Sequence, residues 1–304
     1  MNASDQGKHI RIGILGSGRL GTALAWSLSQ AGWRVHAVSS RHEKSAQQLA
    51  SSISGGLALS PQELANACDL VFIATTDSAI EEVARSIDWR TGMSVVHCSG
   101  ATEVEALRKA ADDGAQIGGF HPMQTFGDPA AAMASLPGCT ITIEAENPLL
   151  ELLENIVLSL GCRVNRLPAG MRGRYHAAAG YTSQFINALF DQAITIWSSW
   201  GASPTDALQA LLPLAHGTLA SIKSAGIARG MPGPVSRGDV KSIAKHLQAI
   251  GEMDPDRLPF YVTLCAATVP ISLSAQLIDA NVAKQFENLL QQAQKQLNPA
   301  LDAE

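Results

Sequence analysis

The residues of this chain that could do chemistry fall into two sets. The first is Gly16-Ser17-Gly18-Arg19-Leu20-Gly21, a Gly-x-Gly-x-x-Gly motif. Its first glycine permits a tight turn, and its second lets backbone amides approach a pyrophosphate. Its third lets the following helix pack close to the strand before it. The second set is polar or titratable: Ser99, His121 and Gln124, then His176, Ser183 and Arg237. In hydride transfer, charge develops on a carbonyl oxygen or an amine must be protonated, so a donor is needed there. Histidine titrates near neutrality and can serve. His121 is the expected acid or substrate donor and His176 the second one. Ser99 falls where a nicotinamide or a substrate carboxylate is expected. Gln124 is a neutral donor, and Arg237 could clamp a carboxylate through a bidentate pair. Each has a structural alternative. His121 could tie down its own loop, and Ser99 could cap the next helix. His97 lies within a strand pattern and reads as packed, and Asp239 reads as a helix cap.

These residues need elements to position them. An alternating apolar run over 10–15 precedes the glycine motif, and a helical pattern over 20–31 follows it. Strand patterns recur at 34–38, 69–74, 93–98, 115–120, 139–143 and 162–166. Helical patterns lie between them at 43–52, 61–67, 78–87, 102–112 and 148–160. The alternation predicts an α/β fold, a doubly wound parallel (Rossmann) sheet of about eight strands. After Pro168 the pattern is helical throughout, with segments at 172–200, 204–224, 239–250, 259–277 and 281–297. The expected organisation is a frayed tail at 1–8, a dinucleotide domain at 9–167 and an all-α substrate and dimerisation domain at 168–304. Along 172–200, Tyr175 falls on the apolar stripe and reads as packing, whereas His176, Gly180, Ser183 and Asn187 form a small, polar stripe. The stretch 226–239 is rich in glycine and proline and reads as a loop.

The end of the second strand pattern bears on the cofactor. An NAD site places an acidic residue about 20 residues past the glycines, where it holds the ribose 2′-hydroxyl. This chain has Ser39, Ser40 and Arg41 there. Two hydroxyls and a guanidinium suit a 2′-phosphate, which a carboxylate would repel, so NADP is the expected cofactor. Thr75 and Thr76 end the next strand pattern and should lie beside it.

Composition narrows the class. Charged residues make up 16% of the 304 and hydrophobic ones 46%, against about 25% charged in an average globular chain. Excess apolar surface of this kind calls for a large core or a subunit interface, and a homodimer is expected. A net charge of -5 argues against nucleic acid as the main partner. The five cysteines are scattered and read as reduced thiols of a cytoplasmic protein. The uncharged run 260–278 contains proline, serine, threonine and glutamine, and reads as a buried helix rather than a membrane span. No set of His, Cys, Asp or Glu has ligand spacing, so no metal is expected.

Five motifs occur together and in order: Gly16-Ser-Gly-Arg-Leu-Gly21, His97-Cys-Ser-Gly-Ala101, His121-Pro-Met-Gln-Thr-Phe126, Tyr175-His-Ala-Ala-Ala179 and Gly233-Pro-Val-Ser-Arg-Gly-Asp239. In this the chain resembles a two-part bacterial family of NADP-dependent oxidoreductases, in which a Rossmann-like domain precedes an all-helical domain of unassigned function. The family is similar in architecture to ketopantoate and pyrroline-5-carboxylate reductases and to 6-phosphogluconate dehydrogenase. The resemblance implies an NADPH-dependent reductase of a small oxo acid, with ketopantoate as the specific candidate. A pyrroline or imine reductase is the near alternative. A non-catalytic NADPH-binding sensor or scaffold is the alternative of another class. An adenosylmethionine-dependent methyltransferase fits less well, because that ligand has no 2′-phosphate for Arg41. The chain departs from the family pattern at Ser183-Gln184, where the family carries Ser-Asn, and at Ser221, where an asparagine is expected. Both departures fall where the family's substrate is expected, so Ser183 and Gln184 join the candidate substrate residues.

Overall fold

The computed structural model describes residues 9–297; the expected tail at 1–8 lies outside them. Two compact units divide the chain after Ser183.

The first unit is built on an eight-stranded sheet of order β3-β2-β1-β4-β5-β6-β7-β8. Its strands are β1 (Arg11–Leu15), β2 (Arg34–Ser39), β3 (Leu57–Ala58), β4 (Leu70–Ile73), β5 (Ser94–His97), β6 (Gln116–Pro122), β7 (Thr140–Ala145) and β8 (Arg163–Arg166). The helices are α1 (Arg19–Gln30), α2 (Glu43–Ser51), α3 (Pro61–Ala67), α4 (Ile80–Arg85), α5 (Arg108–Asp112), α6 (Pro129–Ser135), α7 (Leu149–Ser159) and α8 (Arg172–Tyr181). Every residue of β4 and β5 is buried, as expected of parallel strands covered on both faces. One core layer gathers Ile12, Ile14, Leu24, Leu28, Phe72 and Phe120; the other gathers Leu15, Leu64, Val71, Ile73, Ile80 and Val95. Strand order reverses between β1 and β4, which makes the crevice at their carboxyl ends the switch point of the sheet.

Local chemistry accounts for several element ends. Ser60 and Glu63 form a reciprocal capping box with Pro61 at the first position of α3. Asp128 caps α6 by accepting from Ala131 N at 2.8 Å. Gly32 turns out of α1 at φ 85°.

The sheet departs from the expected all-parallel pattern at one place: β6 and β7 are antiparallel. The segment between them carries the short helix α6 and does not return to the starting end of the sheet, so β7 enters where β6 leaves. The register that results sets Gly119 opposite Glu144 and His121 opposite Thr142. The parallel pair β7–β8 then sets Thr142 opposite Asn165.

The expected long helix at 172–200 is broken. Thr182 Oγ1 and Ser183 Oγ both donate to Ala179 O, at 3.2 and 2.8 Å. Hydroxyls that take a main-chain carbonyl in this way compete with the helical ladder, and α8 stops at Tyr181. The first unit therefore extends past the boundary expected at 167, because α8 carries Arg172 into its interior. Arg172 is fully buried. Its Nε donates to Glu144 Oε2 at 2.6 Å and its Nη1 to Ser99 O at 2.8 Å.

The second unit is helical: α9 (Gln184–Ser198), α10 (Pro204–Arg229), α11 (Val240–Met253), α12 (Leu258–Ser274) and α13 (Ala280–Leu297). Ile243, Leu247, Val262, Val269, Phe286 and Leu290 form its core. Gly226, at φ 80° and ψ 173°, interrupts α10, and a further helical turn reaches Arg229 within what reads as loop in the sequence. A 3-10 turn, Val235–Arg237, follows. Asp239 accepts from Ser242 N at 3.0 Å and caps α11. No helix among the described residues is long and apolar enough to cross a membrane.

A side chain at Gly119 would begin 1.7 Å from Arg172 Nη2. The buried guanidinium has nowhere to retreat without losing Glu144 or Ser99. We expect Gly119→Ala to destabilise the first unit by about 3 kcal/mol, measured as a lowered midpoint in urea.

Candidate active site

The glycine motif bends as its residue types require. Gly16 adopts φ +115°, and a Cβ there would meet Ala74 O at 2.5 Å. At Gly21 a Cβ would lie 2.0 Å from Gly16 O, so the third glycine lets α1 sit against the turn. Gly18 has no atom within 4 Å of the equivalent position. It is the N-cap of α1, with extended backbone, no side-chain cap and no acidic residue in the first turn. Amides of the first turn of a helix point outward and carry its positive dipole end. The open side of Gly18 thus fits a pyrophosphate on backbone N–H groups. Ser17 is half-buried, Arg19 exposed and Leu20 half-buried around this loop.

Gly16 N donates to Ser39 O at 2.8 Å, which ties the glycine turn to the end of β2. Ser39 is buried, Ser40 half-buried and Arg41 exposed. No ion pair engages Arg41 among the described residues. The end of β2 thus brings two hydroxyls and a cation to the edge of the loop, with no carboxylate in the position that would hold a 2′-hydroxyl. Thr75 and Thr76 leave β4 on the other side of the switch point, Thr75 half-buried and Thr76 exposed.

Further along the sheet, side chains converge on Gly100. A Cβ there would be 2.6 Å from His176 Cδ2 and 2.9 Å from both Cε1 and Nε2 of His121. The two imidazoles meet edge to face, with centroids 6.1 Å apart. His121 is the penultimate residue of β6, not the first residue beyond it. Its Nδ1 lies 2.7 Å from the Tyr175 hydroxyl. Tyr175, assigned to packing by the apolar stripe, is instead half-buried and bonded to a histidine. Burial raises its pKa, and the nearby Thr142 hydroxyl works the other way. His176 is exposed.

His121 does not titrate near neutrality. Burial pushes it down to about 4, helped by His176 and Arg172 and opposed by Asp77. At pH 7 it is a neutral imidazole with one N–H to give. His97 is fully buried, as its strand position implies; burial and then Arg172 bring it down to about 3. Its Nδ1 accepts from Ser99 N at 3.2 Å. Ser99 is buried, and its Oγ accepts from Ala101 N at 3.2 Å and Thr102 N at 3.0 Å. It closes a turn, since the following 3-10 helix has Glu103 as its N-cap.

The remaining candidates make other bonds or belong to the second unit. Gln124 is held within its own loop, donating to Ser135 Oγ at 3.1 Å and accepting from Thr125 N at 2.8 Å. Ser183 ends the first unit, exposed and bonded to Ala179 O; Gln184 opens the second and is exposed. Arg237 is exposed in the second unit.

Sequence reasoning missed Arg172, Glu144, Thr142, Asn165 and Tyr175 as members of the cluster. One signal was present: Gly118-Gly119 in the middle of a strand marks close approach by another group, here the Arg172 guanidinium.

Residues 1–122 match a Rossmann-like domain and residues 139–268 match a domain of unknown function, DUF2520. The pair and its order agree with the two-part family that the motifs resemble. No curated protein matches the chain in sequence. A protein from Thermotoga maritima has the same fold at a TM-score of 0.72, with 22% identity over 87% of this chain and 99% of its own. A candidate NADP oxidoreductase from Bacteroides fragilis aligns at 0.66, with 24% identity over 86% and 98%. A reductive aminase from Aspergillus terreus, solved with NADPH and ethyl-5-oxohexanoate, aligns at 0.61, with 17% identity over 94% of each chain.

Folding lowers both buried histidines below the ordinary 6.5. The unfolded chain therefore binds more protons as the pH falls below that value. Stability from the neutral rings is complete above pH 6.5 and is lost as the pH drops through the folded values. We expect the urea midpoint to fall between pH 6.5 and about 4, with a shallower slope in His121→Gln. An unchanged slope in that variant would place the proton uptake elsewhere.

Proposed function

We propose that this chain is an NADPH-dependent oxidoreductase that reduces the C=O of a small oxo acid, with ketopantoate as the specific candidate. The observation that carries the reading is the paired geometry at the switch point. An uncapped helix N-terminus stands behind the open side of Gly18, and Ser39, Ser40 and Arg41 stand at the end of β2, where an NAD site keeps an acid. When bound, NADPH supplies a hydride to the carbonyl carbon. Gly16, Ser17, Gly18, Arg19, Leu20 and Gly21 would hold its pyrophosphate, and Arg41 its 2′-phosphate. Thr75, Thr76 and Ser99 would lie along it towards the nicotinamide. His121 gives a hydrogen bond to the substrate oxygen, with His176 and Ser99 as further donors. Gln124, Ser183, Gln184 and Arg237 are the substrate candidates, with Arg237 suited to a carboxylate.

Reduction of a C=N bond is the second reading. The likeness to a reductive aminase favours it, as does a donor set that serves nitrogen and oxygen alike. NADPH oxidation followed at the nicotinamide absorbance band, over a panel of oxo acids and cyclic imines, separates the two. Tight NADPH binding without turnover of any member would instead make the protein a non-catalytic binder. For the cofactor, Arg41→Glu should weaken NADPH about 10- to 100-fold and NADH little. Equal weakening of both would remove Arg41 from the 2′-phosphate.

We also propose that the protein is a homodimer through the helical unit. Leu189, Leu212, Leu214 and Leu219 are exposed along α9 and α10, an apolar patch on a chain poor in charge. Light scattering should give a dimer, and Leu214→Glu a monomer; a monomeric wild type would end this part of the reading.

A further inference from the structure

Cys139 and Cys162 stand at the entrances to β7 and β8, one residue before the pair Thr140–Arg163 in the parallel register. Arg163 N donates to Cys139 O at 2.8 Å, which holds the two strand starts side by side. Neighbouring strands lie about 4.8 Å apart, inside the range of about 4.4–6.8 Å between Cα atoms that a disulfide spans. The two Sγ atoms are in contact, 3.8 Å apart. Cys162 is buried, and its Sγ–H reaches Leu136 O at 3.1 Å. Cys139 is half-buried and is the member that solvent can meet. β8 is the last strand of the sheet, bonded to β7 on one side, and its Arg163 and Arg166 are exposed. An edge strand of this kind has half the pairing of an inner one.

We propose that Cys139 and Cys162 are a redox pair, which a small disulfide oxidant converts into a reversible cross-strand disulfide that staples β8 to β7. Cys139 acts first. Its thiolate attacks one sulfur of the oxidant RSSR, the oxidant's S–S bond breaks, and RS⁻ leaves. The thiolate of Cys162 then attacks Cys139 Sγ in the mixed disulfide, and the second RS⁻ leaves. Both thiol protons end on the two RSH formed, so the protein loses two electrons and the oxidant gains them. The order follows from exposure, because the mixed disulfide needs room that Cys162 lacks. Closure draws the sulfurs from 3.8 Å to about 2 Å. Cys162 then gives up its bond to Leu136 O, which keeps the one from Cys139 N at 3.0 Å. Burial raises both thiols, Cys162 to about 12. Both are therefore protonated at pH 7, and exchange quickens as the pH rises, because the thiolate is the nucleophile. The pair is independent of the reductase reading, since neither cysteine is among the candidate site residues.

The test exposes the folded full chain to bis-hydroxyethyl disulfide at pH 8, then quenches it with acid, unfolds it and counts thiols. The count should fall from five to three, peptide mapping should join Cys139 to Cys162, and dithiothreitol should restore all five. Cys68, Cys98 and Cys265 are buried and should stay reduced. The rate should rise about tenfold from pH 7 to pH 8, as the thiolate fraction does. Cys162→Ala should stop at the mixed disulfide, seen by mass as one adduct on Cys139, and Cys139→Ala should react at least about tenfold more slowly. The oxidised chain should unfold at higher urea than the reduced one, because the new bond closes the segment from β7 through α7 to β8 and limits the unfolded chain. Five thiols left after prolonged exposure, or a bond that maps to another pair, would overturn the proposal, as would an unchanged urea midpoint in the oxidised form.

Discussion

The first unit depends on a charge held where water does not reach. Arg172 is wholly buried, and its guanidinium binds Glu144 on β7 and the carbonyl of Ser99 beyond β5. It also lies against Gly119 on β6. One side chain from α8 thus fixes the loop that carries Gly100 relative to two strands. A buried ion pair gives little net stability, because both charges lose their hydration; removing one partner is what costs most. Its contribution here is geometric. Burial raises the pKa of Glu144 while Arg172 lowers it, and the cation helps to keep His97 and His121 neutral.

The two halves of the candidate site use different physics. At the switch point, backbone does the work: a Cβ at Gly16 or Gly21 would collide with main-chain oxygen, and Gly18 leaves an open side. Near Gly100, side chains do it: Tyr175 bonds to His121, and the antiparallel β6–β7 pair sets His121 opposite Thr142. A parallel β7 would have given a different set of opposite residues.

Much of this was legible in the residues. The glycine motif, the alternation of strands and helices and the change to helices near Pro168 are local patterns, and local geometry follows from them. The capping roles of Ser60 and Asp239 also follow from residue type and position. The direction of β7 was not legible, because a strand pattern has no polarity of its own. The break after Tyr181 was hidden by an apolar period that continues across it, while hydroxyls at Thr182 and Ser183 take the carbonyl of Ala179.

By itself, then, the sequence determined the order of elements, the tight glycine turn and the absence of an acid at the end of β2. These depend on steric limits and residue chemistry within a few positions. Only the tertiary structure decided that Tyr175 is a partner of His121 rather than core, that an arginine near the start of α8 lies inside the sheet, and that His121 is neutral at pH 7. Each of those depends on groups far apart in the chain, and on the loss of water around them, which no local pattern records.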